Sequence, residues 1–313
     1  MRAATIADGE VEVREHEDPR PGAGEVLVRV RAAGLNGADM LQRKGGYPAP
    51  PGSPPDIPGL ELAGEVAGLG PGAARFAEGD RVMAIVGGGG QGELCVVHER
   101  QLMPVPEALD WPAAGGVPEV FTTAYDALFT QAGLAAGERL LVHGAAGGVG
   151  TAAVQLGRAT GAHVTATVRN EAARDDVASL GADEVIAPDG FDERGPFDVI
   201  LELVGAPNMP GNLKALATGG RIVVIGVGAG PKAEVNLLAL MGKRGRISAS
   251  TLRARPLEEK AATARAMERH VLTLFDRGLL RVPIAETFPL DRVVEAYDRF
   301  AAGGKVGKIV LTL

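Results

Sequence analysis

Cysteine is almost absent from this chain of 313 residues, which contains only Cys95. A single cysteine excludes an internal disulfide bond and any zinc lobe that is built on four cysteines. The histidines His16, His98 and His270 do not have the spacing of metal ligands. The chain also lacks a G-x-S-x-G sequence, so nothing in it supports a hydrolase triad.

Long apolar runs and long charged runs are absent as well. No stretch of about 18 apolar residues occurs, and the chain does not start with a charged segment followed by an apolar one. We therefore expect a cytoplasmic protein. The net charge of −7 argues against nucleic acid or an anionic membrane as a partner. The length allows two domains, each with a core of its own.

The segment Arg139–Gly150, RLLVHGAAGGVG, has the pattern of a short buried strand that turns on glycines into a helix. Unpaired N–H groups and the positive end of the helix dipole make such a turn an anion site. Gly147 and Gly150 match the second and third glycines of G-x-G-x-x-G, whereas Ala145 stands at the first position. The alternative is a glycine-rich turn without a ligand. The turn residues that we expect to bind a dinucleotide are Ala146, Gly147, Gly148 and Val149.

The segments that follow favour the dinucleotide interpretation. Apolar or alternating runs at His163–Val168, Glu184–Ala187, Asp198–Val204 and Arg221–Gly226 predict strands, and helix-compatible segments separate them. Strands that alternate with helices in this way form a doubly wound parallel sheet. The predicted fold class is therefore α/β with a Rossmann domain.

The first 118 residues differ in composition, because they hold 13 of the 21 prolines. Short runs such as Glu25–Val30 between Gly/Pro breaks predict a small, mostly antiparallel β domain. One loop has six prolines between Pro48 and Pro58, with Tyr47 at its start. A loop this long in a compact domain is usually functional or disordered, and its stiffness favours a functional wall.

These features together resemble the medium-chain dehydrogenase/reductase superfamily over nearly the whole chain. Zinc alcohol dehydrogenases of that superfamily carry G-x-C-H-x-D and P-G-H-E, where this chain reads Gly34–Asp39 (GLNGAD) and Pro58–Glu61 (PGLE). Asn36 stands at the position of the ligand cysteine, and Leu60 stands at that of the ligand histidine. Without thiolate or imidazole there, zinc cannot be held in the usual tetrahedral way.

The chain is thus similar to the zinc-free quinone oxidoreductases, and several stretches are closest to the tumour-suppressor-inducible branch. The more specific of these stretches are the proline-rich loop and Ser250–Arg255 (STLRAR). The resemblance implies a GroES-like catalytic domain at 1–118 and 262–313, a Rossmann NADP-binding domain at 119–261, and a homodimer. It also implies a set of residues that line the nicotinamide and substrate cleft, namely Asn36, Tyr47, Thr123, Gly226, Val227, Ser250, Thr251 and Leu252.

The end of the second Rossmann strand predicts the choice between NADPH and NADH. An acidic residue there would bind the ribose 2′-hydroxyl, but this chain has Arg169, whose fixed charge suits a 2′-phosphate. The alternatives are that Arg169 is only a solvated residue or that Glu171 is a ribose ligand. We expect NADPH, with Arg174 as a possible second phosphate contact.

Several roles are open for the candidate catalytic residues. Tyr47 is a proton donor, a hydrogen-bonding orienter of the substrate, or merely the apolar cover of a loop. Asn36 binds the nicotinamide ribose or a substrate oxygen, or it only forms a turn before Gly37. Thr123 is a site residue or a helix-start hydroxyl. We expect His143 and Cys95 to be inert core residues.

The predicted function is NADPH-dependent reduction of a quinone-like acceptor without zinc, with no histidine or carboxylate catalyst evident in the sequence. One alternative is a double-bond reductase acting on α,β-unsaturated carbonyl compounds. Another is a low-turnover NADPH-binding redox sensor. The segment Arg246–Leu252 is a candidate edge strand that would pair with its twin in the homodimer.

Overall fold

A computed structural model describes every residue from Met1 to Leu313. The chain forms two compact units. Unit 1 comprises residues 1–122, 252–303 and 308–313, and unit 2 comprises residues 123–251 and 304–307. The boundaries predicted from the sequence, at 118/119 and 261/262, lie four and ten residues away from those between the units.

Fifteen strands and ten α-helices are numbered here in chain order. The strands are β1 Arg2–Ala7, β2 Glu10–Glu15, β3 Glu25–Gly34, β4 Glu61–Leu69, β5 Arg81–Ile85, β6 Leu94–His98, β7 Met103–Pro104, β8 Arg139–Val142, β9 His163–Thr167, β10 Glu184–Ile186, β11 Phe197–Glu202, β12 Leu216–Val224, β13 Arg246–Ala249, β14 Ile284–Pro289 and β15 Lys308–Thr312. The helices are α1 Gly37–Arg43, α2 Trp111–Gly115, α3 Pro118–Tyr125, α4 Gly148–Thr160, α5 Arg174–Ala178, α6 Met209–Ala215, α7 Leu237–Lys243, α8 Leu257–Met267, α9 Thr273–Asp276 and α10 Val293–Ala302. No helix is both long and apolar enough to cross a membrane.

Unit 1 is a mostly antiparallel β structure. A seven-stranded sheet has the order β14-β15-β3-β4-β5-β7, with β6 also paired to β3, and β1 and β2 form a separate hairpin. Only β14 and β15 run parallel. Alternate residues of β3 (Val26, Val28 and Val30) are buried in the core, as the period of two in EVLVRV predicts.

Unit 2 contains a six-stranded parallel sheet with the order β10-β9-β8-β11-β12-β13. Leu140, Leu141 and Val142 of β8 are fully buried, which is typical of a strand covered by helices on both faces. Helix α4 packs closely on this strand, because a Cβ at Gly157 would lie 2.7 Å from Leu140 Cδ2. The predicted α/β class, with a Rossmann sheet and a mostly antiparallel β domain, is confirmed.

Candidate cofactor and acceptor sites

The glycine turn of unit 2 has the geometry of an anion-binding loop. β8 ends at Val142, and Gly144 turns the chain with a φ of +61°, a conformation that favours glycine. Gly144 therefore supplies the tight turn, which accounts for Ala145 at the first fingerprint position. A Cβ at Gly150 would lie 2.6 Å from both Ala145 Cα and Gly144 O, so only glycine fits there. Helix α4 begins directly after Gly147, with its first N–H groups unpaired within the helix.

Other predicted cofactor residues lie at the same end of the parallel sheet. Gly226 and Val227 follow β12, and Ser250 and Thr251 follow β13. A Cβ at Gly226 would overlap the carbonyl oxygen of Leu203, so the backbone there needs glycine. Strands of a parallel sheet end at one edge, where this class of fold binds its ligands. The turn and its neighbours fit a dinucleotide.

Arg169 is an exposed cation that follows the end of β9 and has no ion-pair partner. Its neighbour Arg174 is different, because its Nε lies 3.5 Å from Val168 O and its Nη1 lies 3.7 Å from Glu171 Oε1. Glu171 lies in the short 3₁₀ turn at Glu171–Ala173. Arg169 is thus the cation of this segment that is free for a phosphate, and its role stays a prediction.

His143 and Cys95 are buried and unreactive, as expected from the sequence. His143 Nε2 lies 2.8 Å from Asn212 Oδ1, and Nδ1 lies 3.1 Å from Thr167 Oγ1. Burial lowers the pKa of His143, which keeps its ring neutral. Burial raises the pKa of the Cys95 thiol to about 12, so it is not a nucleophile at neutral pH.

In unit 1, Asn36 belongs to a buried polar cluster with Glu61 and Lys308. The Lys308 ammonium donates to Asn36 Oδ1 at 2.7 Å and to Glu61 Oε1 at 2.6 Å. The Asn36 amide donates to Glu61 Oε1 at 2.9 Å and to Gly34 O at 3.2 Å. Both amide hydrogens are therefore used within the protein. Only a lone pair of Oδ1 remains for a ligand.

Two further carboxyl groups lie beside this cluster. Asp39, at the start of α1, accepts from the main-chain N–H groups of Asn36 at 2.8 Å and Gly59 at 3.2 Å. Burial raises the pKa of Asp39 to about 7. Burial and the charge of Glu61 raise the pKa of Glu119, in α3, to about 8. Acidic side chains are therefore concentrated at this point of unit 1.

The cluster does not fit a zinc ion. An amide and the apolar Leu60 stand where thiolate and imidazole would be needed, and Glu61 is already bonded to the Lys308 ammonium. Across the whole chain, no three His, Cys, Asp or Glu side chains are arranged to hold a metal. Lys308 instead places a positive charge at this position.

Tyr47 is held by Arg253, which is only 3% exposed. Arg253 Nη1 donates to the Tyr47 carbonyl oxygen at 2.9 Å, Nε donates to Gly87 O at 2.8 Å, and Nη2 donates to Gln42 Oε1 at 2.6 Å. The guanidinium also lies 5.0 Å from the centroid of the Tyr47 ring. Burial, and then the charge of Glu119, raise the pKa of Tyr47, so its hydroxyl stays protonated. Arg253 thus connects the proline-rich loop to the glycine loop at Gly87.

The structure brings some of the predicted residues together and adds others. Thr123 and Leu252 are buried, and Thr123 makes no hydrogen bond through its side chain. Four charged residues of unit 1 were not predicted from the sequence, namely Glu61, Glu119, Arg253 and Lys308. Arg253 lies within STLRAR, a stretch that carries the family resemblance but does not by itself indicate a role for this arginine.

Comparison with known proteins agrees with this architecture. Residues 22–107 match the alcohol dehydrogenase GroES-like domain, and residues 180–311 match the zinc-binding dehydrogenase family. A quinone oxidoreductase of Rattus norvegicus is 33% identical over 309 residues, which cover 94% of this chain and 91% of the relative. The polyketide synthase GfsB of Streptomyces halstedii is 36% identical over 295 residues, which cover 93% of this chain but 5% of that protein.

The solved structures place the chain in the same group. The crystal structure of an NAD-dependent alcohol dehydrogenase superposes with a TM-score of 0.87 at 29% identity, and the match covers 100% of both chains. The sequence similarity to the rat enzyme extends over both units, and both family models match. The chain belongs to the medium-chain dehydrogenase/reductase superfamily of oxidoreductases.

Proposed function

We propose that this oxidoreductase reduces quinone-like acceptors with NADPH and uses no zinc. One observation carries the proposal: the Lys308 ammonium is bonded to Glu61 and to Asn36, which stands at the position of a ligand cysteine in relatives that use zinc. A quinone suits such a site, because its reduced anion is delocalised and needs no Lewis acid. The 33% identity to a quinone oxidoreductase supports the same acceptor class.

The cofactor side of the proposal rests on unit 2. When bound, the nicotinamide supplies a hydride, which is the difficult part of the chemistry. The turn residues Ala146–Val149 hold the pyrophosphate through main-chain N–H groups, and Arg169 pairs with the 2′-phosphate. Gly226, Val227, Ser250 and Thr251 border the nicotinamide. The preference for NADPH depends on Arg169, the unpaired cation after β9.

The acceptor side rests on Tyr47 and Arg253. The Tyr47 hydroxyl has no hydrogen-bond partner in the protein, so it is free to donate to a carbonyl oxygen of the acceptor. Its ring offers a flat apolar surface, and Arg253 holds its main chain in place. In this proposal Asn36 lines the same binding region, with Leu252 contributing an apolar contact.

A double-bond reductase of α,β-unsaturated carbonyl compounds is the second candidate. The similarity to a segment of a polyketide synthase favours it, since polyketide chemistry includes reduction of double bonds next to a carbonyl. The reaction needs the same hydride and, in addition, a proton at the α carbon. A low-turnover NADPH-binding redox sensor is the third candidate.

We also propose that the protein is a homodimer and that it works in the cytoplasm. β13 is an edge strand, since it pairs only with β12 in the sheet. Helix α7, which precedes it, exposes Leu237, Leu238 and Met241 at 67%, 76% and 70%. A second copy that pairs along β13 would cover both the open edge and these apolar side chains.

The test of the proposed function is NADPH oxidation against a panel of quinones and a panel of 2-alkenals, with NADH in parallel. Turnover with quinones supports the proposal. Faster turnover with alkenals than with quinones would favour the double-bond reductase instead. Tight NADPH binding without turnover on either panel would favour the sensor. Elemental analysis of the same unchelated protein should find no stoichiometric zinc.

A further inference from the structure

Glu202, the last residue of β11, has a fully buried carboxylate that forms no ion pair with a lysine or an arginine. Its Oε1 accepts from the main-chain N–H groups of Val204 at 2.6 Å and Gly205 at 2.8 Å, and from the Asn208 amide at 3.3 Å. Its Oε2 accepts from the Asn212 amide at 2.7 Å. Burial of a carboxylate is costly, and here these N–H donors offset that cost. One carboxylate oxygen is therefore bonded to the loop that follows β11.

The loop after β11 packs against the loop after β12. The Ala206 N–H donates to Gly230 O at 3.0 Å. The Ala229 N–H donates to Val204 O at 2.9 Å. Gly205 has a φ of +117°, and a Cβ there would lie 2.7 Å from Gly230 O, so the two loops approach too closely for another residue. The carboxylate at the end of β11 thus holds one loop against the other, whose first residues border the nicotinamide in the proposed function.

The second carboxylate oxygen sets the direction of a chain of hydrogen bonds. A carboxylate only accepts, so Asn212 turns its amide nitrogen to Glu202 and its Oδ1 to His143 Nε2, at 2.8 Å. Nε2 must then carry the single proton of the neutral ring, and the unprotonated Nδ1 accepts from Thr167 Oγ1 at 3.1 Å. The chain connects the ends of β8, β9 and β11, which are neighbours in the sheet, at the edge where this class of fold binds its ligands.

We infer that Glu202 is a positioning residue of the cofactor site, which holds the loop after β11 in place for the nicotinamide and, through Asn212, decides which nitrogen of His143 carries the proton. This inference rests on the cofactor part of the proposed function. No step of the reaction passes through Glu202. Its loss should weaken binding of the nicotinamide half of NADPH and leave the adenosine half, which Arg169 contacts in the proposal, almost unchanged.

The first test measures ligand binding to Glu202→Leu by isothermal titration calorimetry. Leucine accepts no hydrogen bond, so the N–H groups of Val204 and Gly205 lose their acceptor. We expect NADPH to bind about 10- to 100-fold more weakly and adenosine 2′,5′-bisphosphate to change less than about threefold. Asp198→Leu is the matched control, because Asp198 lies near the other end of β11 and accepts from the Arg139 N–H at 2.8 Å. It should bind both ligands as the wild type does.

The second test uses Glu202→Gln, which should keep the loop in place and reverse the chain. The glutamine oxygen stays on the loop N–H groups, so its amide nitrogen faces Asn212, whose amide must turn over and donate to His143 Nε2. The ring proton then moves to Nδ1. Nitrogen NMR of the imidazole should show the proton on Nε2 in the wild type and on Nδ1 in the variant. NADPH affinity should stay within about threefold of the wild type, since the loop keeps its acceptor.

The outcomes separate this inference from the function on which it rests. Unchanged NADPH affinity in Glu202→Leu, or equal losses for NADPH and the bisphosphate, would overturn the positioning role. A His143 proton on Nδ1 in the wild type, or on Nε2 in both proteins, would overturn it as well, and this readout decides alone if Glu202→Leu does not fold. A wild type that binds NADPH but reduces no acceptor would overturn the proposed reaction and leave the role of Glu202 standing. A wild type that binds neither NADPH nor NADH would overturn both.

Discussion

Lys308 and Glu61 form an ion pair at 2.6 Å in which the side chains are only 3% and 0% exposed. They come from β15 and β4, and Asn36 completes the cluster. Gly34 makes room for it, because a Cβ there would lie 2.8 Å from Lys308 Cε and would overlap the Glu61 carboxylate. A buried pair of this kind is costly to break, since removal of one partner leaves the other charged and unpaired.

Lys308→Met should therefore destabilise the protein by about 3–5 kcal/mol, measured by urea unfolding. Lys214→Met is the matched control, because Lys214 pairs with Asp192 at the surface with exposures of 61% and 26%. An exposed pair contributes at most about 1 kcal/mol. The double variant Lys308→Met/Glu61→Gln should recover part of the loss. Similar small losses for both lysines would contradict the importance of the buried pair.

The pKa of Asp39 predicts a dependence of stability on pH. Burial raises this pKa from 3.8 to about 7, so the folded chain binds more protons than the unfolded chain between these values. The stability contributed by Asp39 is full below pH 3.8 and is lost as pH rises towards 7. Asp39→Asn should reduce the difference in unfolding free energy between about pH 5 and pH 8 by on the order of 2–3 kcal/mol. Exposed Asp298→Asn is the control, and an equal effect of the two changes would contradict this explanation.

Arg169→Ala tests the cofactor preference. Loss of a charge-assisted contact of about 1.5–3 kcal/mol should weaken NADPH binding roughly 10- to 150-fold and leave NADH little changed. Isothermal titration calorimetry with both cofactors measures the effect. Arg174→Ala is the control, since Arg174 is already engaged with Glu171 and Val168. Equal losses for both cofactors would mean that Arg169 only supports the fold.

The local part of this molecule could be predicted from its sequence. The glycine turn, β3 and the Rossmann strands follow from residue patterns that extend over a few positions. The ion-pair cluster does not, because Lys308 meets Asn36 across 272 positions of the chain. The same holds for Arg253, which binds Tyr47 across 206 positions and had no pattern of its own beyond STLRAR. Side chains that depend on such distant pairings become visible only in the folded structure.

Leu238→Arg tests the proposed homodimer. Leu238 is the most exposed of the apolar side chains on α7, and a charge there would be buried without a partner if the edge strand β13 pairs with a second copy. Light scattering at micromolar concentration should give a dimer for the wild type and a monomer for the variant. Leu279→Arg, at a position 53% exposed in unit 1, should stay dimeric. A monomeric wild type would contradict the proposal.

The two parts of Tyr47 can be tested separately, because its ring and its hydroxyl have different roles in the proposed site. Tyr47→Phe should keep most quinone reduction, since the ring remains and the delocalised quinol anion can take its proton from water. Tyr47→Ala should raise the quinone KM several-fold with little change in NADPH affinity, because aromatic contact is worth about 0.5–1.5 kcal/mol beyond burial. Arg253→Lys should also raise the quinone KM, since a lysine cannot donate to all three oxygen atoms that the guanidinium now binds. If Tyr47→Phe instead loses nearly all turnover at an unchanged KM, the hydroxyl itself is the proton donor, and the double-bond reductase becomes the better description of the enzyme.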